Sequence, residues 1–414
     1  RNALLAEMTD EVATLVLRNN YLQTLAISLS QQRGREDFGF SRRLMQALEA
    51  AGRLDRTVEQ LPDETALTER ERTGEALTRP ELAVLLAYAK LALHDALLDS
   101  RVPDDPYLSR ELVRYFPAAL VERFPDAVEG HRLRREIVAT QLANAIVNRA
   151  GATVLVRLAD QTAADAPTIA AAYAAVRDSY DLMALNQAVD RLDGIVDGPV
   201  QLRLYGLVQD LLLSRLVWFV RHVDWTRESL DDVVGRYRTG IAAVISGLDA
   251  ALPQPAKEAA GRRAAAMMAD GVPEVLAVRL ATLPALTAAP DIVLVAGRTG
   301  RPVADIAATH FAVASRFRLG DMVAAARDIV ATDHYERLAL DRALGSIEQA
   351  HRTLTTEIAA LDAGCGPDAV EAWHTRRGAS VDRILKSVEA IAGSGLTLAK
   401  LTVAAALLGD LGQA

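Results

Sequence analysis

A glycine-rich stretch late in the chain is its closest match to a nucleotide-binding motif. Gly393-Ser394-Gly395-Leu396-Thr397-Leu398-Ala399 superficially matches a dinucleotide fingerprint, with Ala399 as its third small residue; in such a motif glycines let the backbone approach a pyrophosphate. Such a loop must follow a strand, whereas the residues before it have helical periodicity. We therefore interpret this stretch as a turn between two helices and predict no cofactor site in this chain.

The residue types that bind metals or act as nucleophiles are scattered. The seven histidines form no HExxH or similar closely spaced set, which a zinc site would need. Cys365, the single cysteine, lies between two glycines with neither a CxxC partner nor a nearby histidine. No GxSxG motif occurs. We predict no metal site and no catalytic residue in this chain.

Lysine is scarce, with four lysines among 46 basic residues, at positions 90, 257, 386 and 400. A reaction that needs several lysines around one substrate therefore has little support. Lys90 lies in an apolar stretch with helical periodicity, where we expect its aliphatic stem to run along the surface and its ammonium group to reach water.

The best polar cluster is a row of residues four apart. Thr140, Asn144 and Asn148 fall on one stripe of a predicted helix, beside Arg149. Buried amides need partners, so the favoured interpretation is a hydrogen-bond network inside the domain or between domains. The alternative is direct contact with an effector or a substrate.

Apolar residues recur at spacings of three and four along most of the chain, which predicts an all-α fold. We expect an irregular multi-helix assembly with no Rossmann sheet. The short apolar run 291–297 could be a strand, but no partner strand is visible and we favour a helix. No fixed-period repeat appears. We predict domains at 1–165 and 166–414, with a break near 253–255 as the alternative.

The first helix is predicted to start at Thr9, a good N-cap, and to end near Gln31. Its seam carries one polar residue, Asn19, which we expect either to fix helix register through a hydrogen bond or to contact a ligand. The seam comprises Val12, Leu15, Asn19, Leu22, Ala26 and Leu29.

Helix boundaries elsewhere follow from capping residues, proline and glycine. Thr78-Arg79-Pro80-Glu81 is a capping box, which predicts a helix to about Leu98. Further helices are predicted over 130–150, from Ala166, from Gly198, from Asp224 to about Leu252, and over 303–317, 320–332, 334–361 and 381–391.

Composition limits the function classes. The 414 residues carry a net charge of −8 with a pI near 5.5, which argues against a nucleic-acid partner. No apolar run reaches the roughly 18 residues of a membrane span. A single cysteine is typical of a reducing cytoplasm. Because the chain opens inside structured sequence without an initiator Met, we expect it to be a piece of a longer protein.

Three stretches together resemble the C-terminal region of the large bacterial NAD-specific glutamate dehydrogenases. The resemblance is dense to about residue 158 and thinner beyond it. The matching stretches are Met8–Val12 with Leu17–Tyr21, Leu77–Lys90, and His131–Ile137 with Asn144 and Val147–Arg149.

The resemblance implies a helical domain that follows the catalytic and dinucleotide-binding domains of one long polypeptide. That enzyme would use NAD to convert L-glutamate to 2-oxoglutarate and ammonia, and its substrate lysines, catalytic aspartate and glycine loop would precede this segment. None of those residues can be placed on this chain. The partners expected are the upstream catalytic domain and further copies in a homo-oligomer.

Two interpretations follow and differ in the surface they require. A C-terminal structural or regulatory domain should leave an apolar surface bare on its opening helix when the upstream domains are absent. An independent helical interaction or effector-binding module should have a closed surface with a separate, concave, polar pocket.

Overall fold

The computed structural model describes residues 2–326, 328–331, 333–361 and 364–411. Every regular element in these residues is a helix, so the all-α prediction is confirmed. Backbone contacts divide the chain into two compact units, one ending at Val234 and the other starting at Gly235. We call them unit 1 and unit 2.

Unit 1 contains twelve α-helices, two short 3₁₀ helices (Val102–Asp104 and Pro106–Leu108) and the start of a thirteenth α-helix among the residues described. The α-helices are α1 (Asn2–Gln32), α2 (Phe38–Ala50), α3 (Glu64–Thr73), α4 (Arg79–Leu98), α5 (Ser109–Tyr115), α6 (Ala118–Arg123), α7 (Pro125–Glu129), α8 (Arg134–Ala150), α9 (Val154–Thr162), α10 (Ala166–Ser179), α11 (Leu182–Asp190), α12 (Gly198–His222) and α13 (Leu230–Ala251), which continues into unit 2.

Unit 2 consists of the rest of α13 and the helices that follow it. These are α14 (Gln254–Ala269), α15 (Glu274–Ala281), α16 (Leu283–Leu286), α17 (Ala289–Thr299), α18 (Val303–Arg316), α19 (Leu319–Ala326), α20 (His334–Ala359), α21 (Gly366–Arg377), α22 (Ala379–Ala392) and α23 (Leu398–Leu411).

The core of unit 1 forms where α4 packs on α8, with α1 against both and α10 against α12. Leu85, Leu93 and Leu97 of α4 and Leu142 and Ile146 of α8 are buried. They recur at spacings of four and eight residues, so each helix presents one apolar side to the other. Burial of each such side chain contributes about 1.5–3 kcal/mol.

Helix α4 shows how local sequence sets a boundary. Its N-cap is Thr78, whose backbone N–H donates to the Glu81 carboxylate at 2.7 Å, and Pro80 lies in the first turn. The predicted capping box and the end at Leu98 are both confirmed.

The core of unit 2 is built from α18 to α23, with α20 packed along α23 and α18 on α21. Phe317 and Trp373 are buried with ring centroids 6.3 Å apart at 70°, an edge-to-face arrangement favoured by aromatic quadrupoles. Ile347, Leu354 and Leu401 complete the same cluster.

Several predicted boundaries were wrong. α1 begins at Asn2 rather than Thr9, because the residues between them include the strong helix formers alanine, leucine, glutamate and methionine and no glycine or proline. The Thr9 hydroxyl donates instead to the Leu5 carbonyl inside the helix. The helix predicted over 130–150 begins at Arg134, after a turn.

In unit 2, the run 291–297 is helical within α17, as predicted. The helix predicted over 320–332 ends at Ala326, and residues 327 and 332 lie outside the described part of the chain. Helices α21 and α23 were not predicted.

The helices on both sides of residue 165 pack within unit 1, since α10 contacts α4, α8 and α9. The division into compact units therefore lies between the predicted boundary at 165/166 and the alternative near 253–255. The domain boundary itself stays a prediction.

Within the described residues, no single helix has the length and apolar character needed to cross a membrane. One bent pair, Glu274–Ala281 with Leu283–Thr299, reaches that threshold by length and composition. Leu280, Ile292 and Val295 of this pair are fully buried in the protein, as core helices are.

Candidate functional site

The predicted polar stripe of α8 runs from an exposed residue to a buried one in the core of unit 1. Thr140 is exposed and its hydroxyl donates to the Glu136 carbonyl of the preceding turn at 2.7 Å. Asn144 is half-buried, and Asn148 is buried with 6% of its surface exposed. The three residues therefore lie in three different environments, and Asn148 is the member that enters the interior.

Arg149, next to Asn148, connects α8 to α11. Its Nη1 donates to Asn186 Oδ1 at 3.1 Å, and its Nη2 lies 3.8 Å from the Asp190 carboxylate. Asn186 in turn donates from Nδ2 to the Leu182 carbonyl at 2.8 Å. The guanidinium is thus held by an amide and a carboxylate from successive turns of α11.

Two tyrosines extend this network to α12 and α1. The Tyr205 hydroxyl donates to Asp190, and the hydroxyls of Tyr21 and Tyr205 lie 3.2 Å apart. Burial raises the pKa of Tyr21, and burial together with the hydrogen bonds to Asp190 and Tyr21 raises the pKa of Tyr205. Both phenols therefore stay protonated at neutral pH and serve as hydrogen-bond donors, while Asp190 supplies the negative charge.

Two amide oxygens in this region have no hydrogen-bond partner among the described residues. Gln209 donates from Nε2 to the Arg149 carbonyl at 3.1 Å, but its Oε1 is buried and unpaired. Asn148 Oδ1 is also buried and unpaired. A buried acceptor without a donor costs free energy, so this is the least satisfied part of the network.

We call the set Tyr21, Arg149, Asn186, Asp190, Tyr205 and Gln209 the polar network. It ties α1, α8, α11 and α12 together. Asn148 lies next to Arg149 in the chain, but its side chain makes no hydrogen bond with a described residue, and the interpretation of the α8 stripe stays a prediction. Its charged groups bind each other.

Sequence reasoning missed the partners from the other helices. Asn186 and Asp190 are four residues apart and so lie on one side of α11, which is a usable signal. No spacing relates Tyr21 or Tyr205 to α8, because that relation depends on how distant helices pack.

Asn19 lies outside the polar network. It is exposed on α1 and makes no hydrogen bond with any residue that the structure describes. The seam around it is open at its N-terminal end, where Val12 is 43% exposed, and closed at its C-terminal end, where Ala26 and Leu29 are buried. The proposed role of Asn19 at a helix interface stays a prediction.

The glycine stretch near the C-terminus is a turn joining α22 to α23, as predicted, and it follows a helix rather than a strand. The Lys400 ammonium donates to the Ser394 and Gly395 carbonyls at 2.7 and 2.8 Å. A lysine of the chain itself thus binds the carbonyls of this turn. Across the described ranges, no group of three or more His, Cys, Asp or Glu side chains is arranged to hold a metal ion.

These features define the class of protein: an all-α domain whose central polar residues bind one another. The chain belongs to the family described as glutamate dehydrogenase, C-terminal, whose profile matches residues 74–410. The resemblance found in the sequence is confirmed.

Relatives of the chain are NAD-specific glutamate dehydrogenases. The protein from Pseudomonas aeruginosa is 38% identical over 420 residues, covering 100% of this chain and 26% of that protein. The one from Halomonas elongata is 36% identical over 378 residues, covering 90% and 23%. The one from Mycobacterium tuberculosis is 29% identical over 420 residues, covering 98% and 25%. The chain spans about a quarter of the length of these relatives.

Proposed function

We propose that the chain is the non-catalytic, C-terminal helical region of an NAD-dependent glutamate dehydrogenase. The whole enzyme would convert L-glutamate, NAD and water to 2-oxoglutarate, ammonia and NADH, with catalysis and NAD binding in the part that precedes this region. Support comes from the family match and from the relatives, which are about four times as long.

The observation that carries this proposal is a bare apolar stripe on α1. Leu5, Val12 and Val16 are 51%, 43% and 52% exposed. Their spacings of seven and four place them on one side of the helix. Leu17, beside them, is 68% exposed. We call Leu5, Val12, Val16 and Leu17 the α1 stripe.

The α1 stripe belongs to an anchored part of the helix. On another side of α1, Arg123 Nη2 binds the Glu7 carboxylate at 2.6 Å, and the Ala118 N–H donates to Glu11 at 2.9 Å. These contacts hold the N-terminal half of α1 against α6. The apolar residues are therefore presented on a preformed helix, and docking would require little additional ordering.

We assign the α1 stripe as the surface that contacts the preceding catalytic region of the same polypeptide. An apolar helix stripe with a seven-and-four spacing fits an apolar helix or sheet surface of a neighbouring domain. The role of this region would be structural or regulatory, through that contact. The resemblance to long bacterial dehydrogenases further supports an enzyme that acts in the cytoplasm as a homo-oligomer, which mass measurement of the extended protein in solution tests.

The decisive experiment compares this 414-residue chain with a protein extended upstream to the length of its relatives. NAD-dependent glutamate oxidation is measured for both by NADH absorbance. We expect activity in the extended protein and none in the chain alone. Activity in the chain alone would overturn the proposal, and an inactive, well-folded extended protein would favour the independent interaction module instead.

Hydrogen exchange tests the docking of α1 directly. We expect the α1 peptides around Val12 and Val16 to exchange more slowly in the extended protein than in the chain alone. In the extended protein, V12D with V16D should restore fast exchange. Ile195→Asp is the matched control, since Ile195 is 68% exposed on a turn of the same unit, and it should leave α1 exchange unchanged. Equal exchange of α1 in both proteins would sink the docking assignment.

A further inference from the structure

One imidazole of unit 2 lies between a cation and a carboxylate from two other helices. His374, in the last turn of α21, has its Nδ1 at 2.9 Å from Arg316 Nη2 of α18 and its Nε2 at 2.9 Å from Asp382 Oδ1 of α22. The side chains of His374 and Asp382 are 15% and 57% exposed, and Arg316 is exposed. The ring therefore joins α18 and α22 through α21 at a place that solvent protons reach.

The two neighbours determine which ring nitrogen carries the hydrogen. A guanidinium group has N–H donors and no acceptor, so the contact with Arg316 requires an unprotonated Nδ1. A neutral imidazole then carries its hydrogen on Nε2, and from there it donates to the Asp382 carboxylate. The geometry therefore defines a neutral His374 that accepts a hydrogen bond from α18 and donates one to α22.

A second proton on this ring would break one contact and strengthen the other. A protonated Nδ1 is a donor, so two N–H groups and two positive charges would meet across 2.9 Å. The hydrogen bond from Nε2 to Asp382 would remain and would join a cation to an anion, which makes it stronger. The Arg316 side chain has no other partner among the residues that the structure describes, so protonation would leave it free.

Other charged groups near the ring come from α20 and from α21 itself. Helix α21 packs on α18, α20 and α22. Glu357 of α20 accepts from Arg377 Nε at 3.1 Å, so its charge is already paired. Glu371 and Arg377 lie three residues before and after His374, on the same side of α21. The hydrogen bonds of the ring go to the guanidinium of α18 and the carboxylate of α22, and these two groups decide what protonation does.

The remaining contacts between α18 and α21 do not depend on this ring. At the N-terminal end of α21, the Gly366 N–H donates to the buried Thr309 Oγ1 of α18 at 2.9 Å. Beside the imidazole, the buried rings of Phe317 and Trp373 pack edge to face. Loss of the polar contact would therefore loosen the C-terminal ends of α18 and α21 while the buried contacts between them persist.

We propose that His374 is a proton-operated switch in unit 2. The neutral ring holds Arg316 and Asp382 together, whereas the protonated ring releases Arg316 and binds Asp382 more firmly. Histidine side chains change charge between pH 5 and 8, and this is the range in which we expect the exchange of contacts. Because one contact strengthens as the other is lost, the switch alters how α21 is held without unfolding unit 2.

Nitrogen NMR of the 414-residue chain with ¹⁵N-labelled histidine tests the two states of the ring. At pH 7.5 we expect a bare Nδ1 and a protonated Nε2 on His374, and at pH 5.5 we expect both nitrogens to be protonated. The signals of His374 are those that disappear in His374→Ala. Any other proton distribution at pH 7.5, or a ring that stays neutral at pH 5.5, would overturn the proposal.

Double-mutant cycles measure the exchange of contacts. His374→Ala is combined with Arg316→Met and, separately, with Asp382→Asn, and hydrogen exchange gives the equilibrium constant for unfolding of unit 2. From pH 7.5 to 5.5, we expect the coupling of His374 to Arg316 to fall from about threefold to none. Its coupling to Asp382 should rise from about twofold to about fivefold. Other titrating groups respond alike in all members of a cycle and cancel.

Arg318→Met is the matched control for loss of an exposed arginine. Arg318 lies two residues after Arg316 and pairs with Asp321 at 2.8 Å, so it should show no coupling to His374 at either pH. Equal coupling of Arg316 to His374 at pH 7.5 and 5.5, or a coupling of Asp382 that does not rise in acid, would contradict the switch.

Discussion

The two units bury polar groups in different ways. In unit 1, Arg177 is surrounded by two carboxylates, with Nη2 at 2.8 Å from Glu111 and Nε at 2.8 Å from Asp178. Asp178 also accepts from the Tyr107 hydroxyl at 2.9 Å. All three charged side chains are about 5% exposed. Unit 1 therefore buries linked charges of both signs.

Unit 2 brings two imidazoles into contact, with His310 buried and His351 half-buried. The rings of His310 and His351 are stacked with centroids 3.6 Å apart. His351 Nε2 lies 2.8 Å from the His310 carbonyl, and His310 Nδ1 lies 3.2 Å from the Thr355 hydroxyl. An Arg352–Asp291 ion pair, with both side chains 5% exposed, joins α20 to α17.

A second contrast lies in helix packing. In unit 2, a Cβ placed on Gly240 of α13 would lie 2.8 Å from Val293 Cγ1 of α17 and closer still to Cγ2. In unit 1, a Cβ on Gly206 of α12 would meet nothing within 4 Å. The difference teaches that in unit 1 one buried cation serves two carboxylates, whereas unit 2 combines a buried ion pair with stacked imidazoles and a close approach of α13 to α17.

The largest expected effect comes from removing Arg177. Arg177→Met leaves Glu111 and Asp178 buried without their shared cation, and we expect a loss of about 4 kcal/mol in the free energy of unfolding of unit 1. Arg352→Met removes the partner of the Asp291 carboxylate, and we expect the free energy of unfolding of unit 2 to fall by about 3 kcal/mol. Hydrogen exchange under increasing urea measures the two units separately.

Arg72→Met is the control for loss of an arginine. Arg72 and Glu69 form an exposed ion pair on α3, and such pairs are weak in water, so no measurable change is expected. If Arg177→Met left unit 1 as stable as it is in the unmodified chain, the buried charges would not contribute to the stability of unit 1, and the contrast with unit 2 would fail.

Much of this arrangement could be predicted from sequence, for physical reasons that differ by region. Periodicity and the capping box located α4, and the lack of a visible partner strand favoured a helix for the ambiguous run in α17. α23 was missed because its apolar run follows a glycine-rich turn and is short. α21 was missed because its Gly366-Pro367 start precedes a stretch of mixed charge with weak periodicity.

Spacing alone indicated only the α8 residues of the candidate site, and their role stays a prediction. Spacing along α8 placed Asn148 beside Arg149, and the interior hydrogen-bond network was the favoured interpretation of both. Arg149 contacts Asp190 of α11 and Tyr205 of α12, and Tyr205 contacts Tyr21 of α1. A single sequence does not specify which helices meet in this way. The open end of α1 likewise follows from tertiary packing, because an apolar seam looks the same in sequence whether it is covered or bare.

The second prediction concerns the stability of unit 2 at acid pH. Burial, together with the positive charges of His351 and Arg352, lowers the pKa of His310 well below 6.5, and burial lowers the pKa of His351. The unfolded chain therefore binds more protons than the folded one below about pH 6.5. Stability from these residues is fully present above that pH and is lost as pH falls, by up to about 1.4 kcal/mol per pH unit for each histidine.

Unit 1 should lose stability at a lower pH than unit 2, because its buried charges include carboxylates. Burial alone would raise the pKa of Asp178, but its hydrogen bond and charge interaction with Arg177 outweigh burial and lower it. Its contribution is present above the unfolded pKa of about 3.9 and is lost below that value. Between pH 6.5 and 4.5, protection from hydrogen exchange, measured relative to the intrinsic exchange rate at each pH, should therefore fall in α18 and α20 before it does so in α5 and α10.

His310→Gln removes one titrating ring while keeping a polar group that can reach Thr355. We expect the stability of unit 2 to depend less on pH in this variant than in the unmodified chain. Its stability should therefore be similar at pH 7.5 and at pH 5.5. His94→Gln in unit 1 is the control and should leave the acid response of unit 2 unchanged. An acid response of α18 and α20 that persisted unaltered in His310→Gln would assign the sensitivity to other groups.

The smallest effect tests packing at Gly240. Gly240→Ala forces the methyl group against Val293, and we expect a loss of about 1–3 kcal/mol, as for other overpacked sites. Gly247→Ala, two turns later on α13 and open for 4 Å around its Cβ, should instead stabilise by about 0.5–1 kcal/mol because alanine favours helix. Gly206→Ala in unit 1 should behave like Gly247→Ala.

Urea unfolding of the three variants measures these differences in the free energy of unfolding. Each variant introduces the same methyl group, so a loss of stability at Gly240 with a gain at Gly247 would be due to the close approach of α13 and α17. Stabilisation by Gly240→Ala would mean that these helices separate readily, and that close packing is not a feature by which unit 2 differs from unit 1.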